Sequence, residues 1–154
     1  MSRQKSSWYA SLVVAILSVS LLGAQKVATR RAPDVAYVPT STAAVDAMLQ
    51  LADVKAADTV YDLGCGDGRI VIAAATKRRA HGVGIDIDPA RVREARENAR
   101  KSGVEKLVRF EENDIFQADI HRASVVTLFL LPELNVKLLP KLLRDLRPGT
   151  RIVS

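Results

Sequence analysis

Apolar and polar positions alternate along the chain in a way that predicts strands and helices in turn. A helix is predicted over residues 42–54, because apolar side chains recur there at i, i+3, i+4 and i+7 spacing. Apolar runs predict strands at residues 59–61, 83–88, 107–110, 125–130 and 150–154. Further helices are predicted at residues 69–80, 89–102 and 134–146. Strands that alternate with helices indicate an α/β fold with a doubly wound, mostly parallel sheet.

Local signals mark where these helices begin and end. The second helix is predicted to stop at Gly82, and the third to begin with Asp88 as its cap and Pro89 in its first turn. Gly103 is expected to end the third helix. Pro140 lies inside the fourth, so a kink or two short helices are expected there.

The chain starts with an apolar segment that is distinct from the α/β region. Residues 8–24 are seventeen positions without a charge, and Arg3 and Lys5 precede them. This length is at the short limit for a membrane-spanning helix. A basic start and an apolar middle also resemble a secretory signal. We therefore divide the chain into an N-terminal apolar segment (1–24), a polar linker (25–39) and a folded core (40–154).

The charge of the chain is unevenly distributed. The net charge is +6, but the first 31 residues hold five basic side chains and no acid. The remaining residues hold 18 basic and 17 acidic side chains. The predicted core is thus almost neutral, which gives no support to a nucleic-acid partner. Cys65 is the one cysteine, so the chain has no intrachain disulfide. It lies within a glycine-rich stretch, where we expect it to contribute its backbone rather than a reactive thiol.

A glycine-rich stretch between the first strand and the second helix carries the chemistry. Residues 62–69 read Asp-Leu-Gly-Cys-Gly-Asp-Gly-Arg. Arg69 stands where a dinucleotide-binding motif needs its third glycine, and the Gly-Lys-Ser/Thr of a P-loop is absent. An acid at the strand end would repel a pyrophosphate, but it suits a ligand that carries an ammonium and a sulfonium. S-adenosylmethionine is such a ligand.

With this motif, the sequence resembles the class I (Rossmann-like) S-adenosylmethionine-dependent methyltransferases. The matching segments are residues 37–40, 62–72, 84–89, 113–116 and 128–135. Together they look like the bacterial branch related to the mitochondrial lysine methyltransferases that act on the ATP synthase c-subunit and the adenine nucleotide translocase. Such domains have seven strands, whereas this sequence predicts five. The resemblance therefore implies a class I core that is truncated after the fifth strand.

The resemblance also implies where the cosubstrate binds. Asp86 follows the second strand and is the expected ribose-binding acid. Asp114 is expected beside the adenine amino group and Ile115 against the ring, although Asn113 and Asp114 could instead form a simple turn. The full set of expected cofactor-binding residues is Asp62, Gly64, Cys65, Gly66, Gly68, Asp86, Ile87, Asn113, Asp114, Ile115 and Leu130.

The methyl acceptor is expected beside the loop at residues 131–135. This loop lacks the Asn/Asp-Pro-Pro-aromatic motif of many nucleobase-amino methyltransferases. The sequence identifies no catalytic residue, and Glu133 and Asn135 are the candidates for gripping the incoming nucleophile. No metal-ligand cluster is predicted. We expect a protein-lysine methyltransferase. The alternatives are a small-molecule methyltransferase, or a non-catalytic S-adenosylmethionine-binding protein because the C-terminal strands are missing.

The expected cosubstrate bears on the N-terminal segment, because S-adenosylmethionine is made and kept inside cells. We therefore favour an uncleaved membrane anchor with the catalytic domain on the inner side. Export after signal cleavage is the alternative.

Overall fold

A five-stranded parallel sheet forms the centre of the structure, a computed structural model that describes residues 39–154. In chain order, the elements are α1 (Thr42–Leu51), β1 (Thr59–Leu63), α2 (Arg69–Arg78), β2 (His81–Asp86), α3 (Pro89–Lys101), β3 (Val108–Glu112), β4 (Val125–Leu128), α4 (Pro132–Asp145) and β5 (Arg151–Val153). The strand order is β3-β2-β1-β4-β5, and every neighbouring pair is parallel. This is the doubly wound α/β fold that the sequence predicts.

The sheet is covered on both faces by apolar side chains. On one face the helices α1, α2 and α3 bury residues such as Leu49, Val71 and Ala95. On the other face α4 buries Leu138, and the connection between β3 and β4 adds Ile120. Because the central strands are buried on both sides, the sheet holds the ends of its strands in fixed positions.

The predicted caps are confirmed, but the end of α2 was predicted wrongly. Asp88 caps α3 by accepting the N–H of Ala90 at 2.7 Å. Helix α2 ends at Arg78, and Arg79 takes the left-handed conformation at φ 59°. Gly82 does not stop the helix, because it lies within β2. A Cβ there would stand 2.8 Å from Cβ of Val71, so glycine allows α2 to pack closely on the strand.

The junction of β4 and α4 also differs from the prediction. The strand ends at Leu128 rather than at residue 130, and α4 begins at Pro132, so most of the expected loop at 131–135 is helical. Proline suits the first helical turn because its missing N–H would have no helical partner there. Pro140 lies within one continuous helix instead of dividing it into two. Because proline has no N–H, the carbonyl of Val136, four residues earlier, lacks its helical hydrogen bond. Val136 and Pro140 are both exposed, so water can donate to that carbonyl.

The predicted N-terminal apolar segment and nearly all of the linker lie outside the described residues. Within residues 39–154, no helix is long and apolar enough to cross a bilayer.

Candidate functional site

The glycine-rich turn is hydrogen-bonded to the carboxyl end of β2. The N–H groups of Gly64 and Cys65 both donate to the carbonyl of Ile85, at 2.8 and 3.0 Å. Gly64, Gly66 and Gly68 have φ values of 84°, 52° and 81°, which L-residues other than glycine rarely adopt. The turn therefore has the positive-φ backbone that its glycines predict.

Two of these glycines are needed for packing against the protein itself. A Cβ at Gly64 would stand 2.7 Å from Cδ2 of Leu130. A Cβ at Gly68 would stand 2.6 Å from Cε1 of Phe110 and 2.9 Å from Cβ of Ala95. Glycine at these two positions is therefore required by packing as well as by the positive φ of the turn. Gly68 lets α2 and α3 pack against β3, and Gly64 brings Leu130 onto the turn.

Asp62 is a buried carboxylate at the carboxyl end of β1. It is 2% exposed, and its Oδ1 accepts the hydroxyl of Thr127 at 2.8 Å. Burial raises the pKa of Asp62 to about 7 against the opposing hydrogen bond from Thr127, and the nearby charges of Asp86 and Asp67 add to the rise. Asp62 and Asp86 thus lie toward the carboxyl ends of the adjacent strands β1 and β2, close enough for their charges to interact.

Asp86 bonds to the glycine turn with one oxygen and to the start of α3 with the other. Oδ2 accepts the N–H of Gly66 at 2.8 Å, and Oδ1 accepts the N–H of Asp88 at 2.9 Å. A carboxylate has about four acceptor sites, so each oxygen retains capacity for a further donor such as a ribose hydroxyl. The side chain therefore fits a role in fixing the turn together with a role in binding.

Around Asp67 lies a network that sequence reasoning missed. Arg69 donates from Nη2 to Oδ2 of Asp67 at 2.6 Å and from Nη1 to the carbonyl of Thr40 at 2.6 Å. Asn98 of α3 donates to the carbonyl of Asp67 at 3.0 Å. Thr40 is buried, and it precedes α1. Arg69 thus ties the chain before α1 to the glycine turn.

Asn113 and Asp114 follow β3 at the same edge of the sheet. The N–H of Asn113 donates to the carbonyl of Asp86 at 3.0 Å, which joins the two strand ends. Oδ1 of Asn113 accepts the N–H of Asp114, and Oδ1 of Asp114 accepts the N–H of Phe116 at 2.9 Å. These bonds are the turn alternative that the sequence left open. Next to them, Ile115 packs against the apolar cluster beneath α4.

Two other predicted residues are placed by the same edge. Ile87 is half-buried just after β2. Cys65 is 5% exposed, and its Sγ occupies the space that a Cβ on Gly84 would reach at 2.8 Å. Burial, followed by the charges of Asp62 and Asp86, raises the pKa of the Cys65 thiol well above its ordinary value. The buried thiol is therefore protonated and unreactive.

The candidates for gripping an acceptor lie at the start of α4. Glu133 is exposed in the first helical turn. Asn135 donates from Nδ2 to Oγ of Ser154 at 2.8 Å, which directs its amide toward the end of β5. Phe129 and Leu131 expose 48% and 51% of their surfaces where β4 leads into α4. The structure thus places exposed apolar side chains where the acceptor is expected, and it gives Asn135 a structural partner.

Sequence signals existed for the two residues that were missed. Thr127 is the polar residue in the apolar run at 125–130, and a polar side chain on a strand buried on both faces needs a buried partner. Arg69 follows the turn directly, at the position where the dinucleotide motif would have glycine. Neither signal identifies the partner, because the fold alone brings Thr127 to Asp62 and Arg69 to the carbonyl of Thr40.

The donors and acceptors at this edge suit a cationic nucleoside. Two carboxylates lie beside a backbone turn, and apolar Ile115 and Leu130 pack nearby. Among residues 39–154, no group of His, Cys, Asp and Glu has the arrangement of a metal site. The arrangement therefore matches a ligand with an ammonium, a ribose and a flat base.

Comparisons with known proteins agree with this chemistry. Residues 62–154 match the family model described as the ANTKMT methyltransferase domain. A protein-lysine N-methyltransferase of Saccharolobus islandicus is 48% identical over 123 residues, which cover 79% of this chain and 76% of that protein. The human lysine N-methyltransferase of the ATP synthase c-subunit is 30% identical over 159 residues, which cover 99% of this chain and 67% of that protein.

A solved structure is similar as well. An RNA methyltransferase from Salinibacter ruber, in complex with S-adenosyl-L-homocysteine, superposes with a TM-score of 0.74. It is 56% identical, and the match covers 75% of each chain.

Proposed function

The chain belongs to the ANTKMT methyltransferase domain family, and from that membership we propose that it transfers a methyl group from S-adenosylmethionine to the side-chain amine of a protein lysine. The observation that carries the proposal is the buried Asp62 carboxylate, held by Thr127 and coupled to Asp86 at the carboxyl edge of the sheet. Ligands of open parallel sheets bind at this edge. The family match begins at Asp62 itself.

The residues at this edge account for each part of the cosubstrate. The ionised Asp62 attracts the ammonium group, and Asp86 accepts from the ribose hydroxyls while it holds the N–H of Gly66. Ile115 supplies apolar surface for the base, and Leu130 packs against the glycine turn. When bound, S-adenosylmethionine supplies a methyl group that is attached to a sulfonium. The sulfur is a good leaving group because it departs as a neutral thioether.

The surface at the end of β4 prepares the acceptor amine. Phe129 and Leu131 offer half-exposed apolar surface, and an incoming lysine loses water against it. Desolvation lowers the pKa of an amine, so the neutral nucleophile becomes more abundant. Because the leaving group is good, the remaining work of the protein is alignment and exclusion of water.

A lysine acceptor is favoured over a nucleobase by two observations. The Saccharolobus and human relatives are both named lysine N-methyltransferases. In addition, the start of α4 reads Leu-Pro-Glu-Leu-Asn and has no Asn/Asp-Pro-Pro-aromatic motif. RNA is the second candidate, because the similar Salinibacter structure is named an RNA methyltransferase.

The experiment offers both acceptors to the same enzyme. The full chain is incubated with methyl-labelled S-adenosylmethionine and either a protein extract or total RNA, and the products are digested and analysed by mass spectrometry. We expect methyl-lysine in protein, and we expect less of it from Asp86→Ala when S-adenosylmethionine is limiting. Asp46→Asn, an exposed carboxylate on α1, is the matched control and should keep activity. Label only in RNA, or in neither pool, contradicts the proposal.

The N-terminal segment supports a further proposal about location. Residues 8–24 carry no charge, so we propose that they anchor the enzyme in a membrane with the catalytic domain on the inner side. Carbonate extraction of membranes should leave the full chain in the pellet, and protease added outside sealed cells should not cut the domain. Release by carbonate, or cutting from outside, contradicts this proposal.

A further inference from the structure

A basic cavity lies at the amino-terminal edge of the sheet, across the strands from the glycine turn. It has a volume of about 270 Å³ and is formed at the starts of β1, β2 and β3. Its basic lining residues are His81, Lys106, Arg109 and Arg122. No Asp or Glu is among the residues that line it. The cavity therefore presents positive charge with no acid in its own wall.

Arg109 is held in place at this cavity by its neighbours. Its Nη2 donates to the hydroxyl of Tyr61 at 3.2 Å, and its guanidinium carbon lies 6.0 Å from the centre of the Tyr61 ring. Its Nε donates to Oε1 of Glu111 at 2.8 Å. Tyr61, Val83 and Arg109 are register partners on three adjacent strands, so their side chains share one face of the sheet. One cation of the cavity is thus preorganised.

Two further basic side chains of the cavity, those of Lys106 and Arg122, have hydrogen-bond donors without an acceptor among the residues that the structure describes. Lys106 and Arg122 are exposed, and neither makes a hydrogen bond or an ion pair with residues 39–154. Glu111 pairs with Arg109, and Asp119 pairs with His121 while attracting Arg122 only at longer range. The donors of Lys106 and Arg122 are therefore available to a ligand.

We propose that this cavity binds a phosphate group, either of a small soluble anion such as pyrophosphate or of a lipid headgroup. Arginine offers paired donors that match phosphate oxygens, and lysine adds a point charge. The volume is just below the range of about 300–1,000 Å³ for drug-sized ligands, so a phosphate or a pyrophosphate group fits within the cavity. The site is separate from the methyl-transfer edge, so it stands whether or not the acceptor is lysine.

The test is a calorimetric titration of the full chain with pyrophosphate at low ionic strength. We expect saturable binding that weakens about ten- to hundredfold in Lys106→Gln/Arg122→Gln, because hydrogen bonds to charged groups are lost. Neither side chain makes a contact that the fold needs, so this variant should melt at the wild-type temperature. Arg93→Gln/Lys137→Gln removes one exposed arginine and one exposed lysine elsewhere, and it should bind as wild type does.

The second arm of the test identifies the source of the phosphate. Vesicles that contain phosphatidylglycerol are offered to the same three proteins in a sedimentation assay. Binding to vesicles but not to pyrophosphate, with the same dependence on Lys106 and Arg122, supports the site with a lipid headgroup as its ligand. No binding in either arm, or an equal loss in the control variant, overturns the proposal. S-adenosylmethionine binding is measured on the same samples, so a failure of this site is distinguishable from a failure of the proposed function.

Discussion

Thr127 donates its hydroxyl to Oδ1 of Asp62 at 2.8 Å, and these side chains are 0% and 2% exposed. The two residues are register partners on the adjacent parallel strands β1 and β4. The bond fixes the carboxylate that we assign to the ammonium of the cosubstrate, and it partly offsets the cost of burying that charge.

Replacing Thr127 by valine should therefore weaken cosubstrate binding. The shape is kept, but the buried carboxylate loses a donor that favours its ionised form. We expect a loss of about 1–3 kcal/mol, or roughly five- to 150-fold in Kd, by calorimetry at pH 7. Thr127→Ser keeps the hydroxyl and should bind within a few-fold of wild type. Equal affinities for the valine variant and wild type would remove this hydrogen bond from the account.

The raised pKa of Asp62 predicts that binding is linked to a proton. Burial raises this pKa from 3.8 to about 7, so part of the unliganded protein carries a neutral Asp62 at pH 7. A cationic ligand favours the ionised form, so affinity should increase as the pH rises from 6 to 8, with release of a proton. Titrations in buffers of different ionisation enthalpy measure that proton. Asp62→Asn should bind weakly and release none, and a pH-independent affinity in the wild type contradicts the assignment.

The same shift predicts how the stability of the unliganded protein depends on pH. Between 3.8 and about 7, the folded state holds a proton on Asp62 that the unfolded state has lost. The contribution of Asp62 to the free energy of unfolding therefore decreases as the pH rises through this window. Denaturant melts at several pH values should show that decrease in the wild type and a smaller one in Asp62→Asn. Parallel pH profiles for the two proteins would be the opposite result.

Gly68 should tolerate alanine less well than another glycine of similar backbone conformation. Gly68 and Gly103 have φ values of 81° and 67°, so alanine is strained by about 1–2 kcal/mol at either position. At Gly103 the new Cβ meets nothing within 4 Å, whereas at Gly68 it meets Phe110 at 2.6 Å. We expect Gly68→Ala to cost about 1–3 kcal/mol more than Gly103→Ala in urea unfolding. Equal costs would show that Phe110 gives way freely.

An ion pair joins β5 to the turn before β1. Arg151 pairs with Asp58 and donates from Nη1 to the carbonyl of Ala52 at 2.7 Å. Burial raises the pKa of Asp58, but hydrogen bonds from the Lys55 N–H, the Ser124 hydroxyl and Arg151 outweigh it, so the net pKa is below its ordinary value. The stability from Asp58 is therefore complete above pH 3.8 and is lost as the pH falls through the lowered pKa.

Arg151→Gln should thus destabilise the fold by about 2–3 kcal/mol at pH 7, since a mostly buried carboxylate loses its cation. The loss should shrink when the unfolding experiment is repeated near pH 3. Arg144→Gln removes an exposed arginine from α4 and should cost less than about 0.5 kcal/mol. A similar cost for both variants would show that the β5 ion pair is unimportant.

The order of elements and the form of the glycine turn were predictable because their signals are local. The acid-glycine turn, the Asp88–Pro89 helix start and the apolar spacing of α1 each depend on a few neighbouring residues. The end of α2 was mispredicted because Gly82 looks like a stop signal, whereas Arg79 takes the left-handed position and Gly82 makes room for Val71.

The contacts that complete the site could not be read from the sequence. Thr127 meets Asp62 only because β4 pairs with β1 in one particular register. Arg69 meets the Thr40 carbonyl because α1 and α2 pack on the same face of the sheet. Asp114 was assigned to the adenine from the resemblance, and its hydrogen bond to the Phe116 N–H shows a turn role that the Asn-Asp pair also predicted.

The most direct test of the central claim is a calorimetric titration of the full chain with S-adenosylmethionine, in the wild type and in Asp86→Ala. The side chain of Asp86 joins the turn to β2 and is assigned to the ribose. We predict that the wild type binds with a defined stoichiometry and that the variant, still folded by thermal melting, binds about 1–3 kcal/mol more weakly. An unchanged affinity in the variant, or no binding by the wild type, would contradict the assignment of this edge as the cosubstrate site.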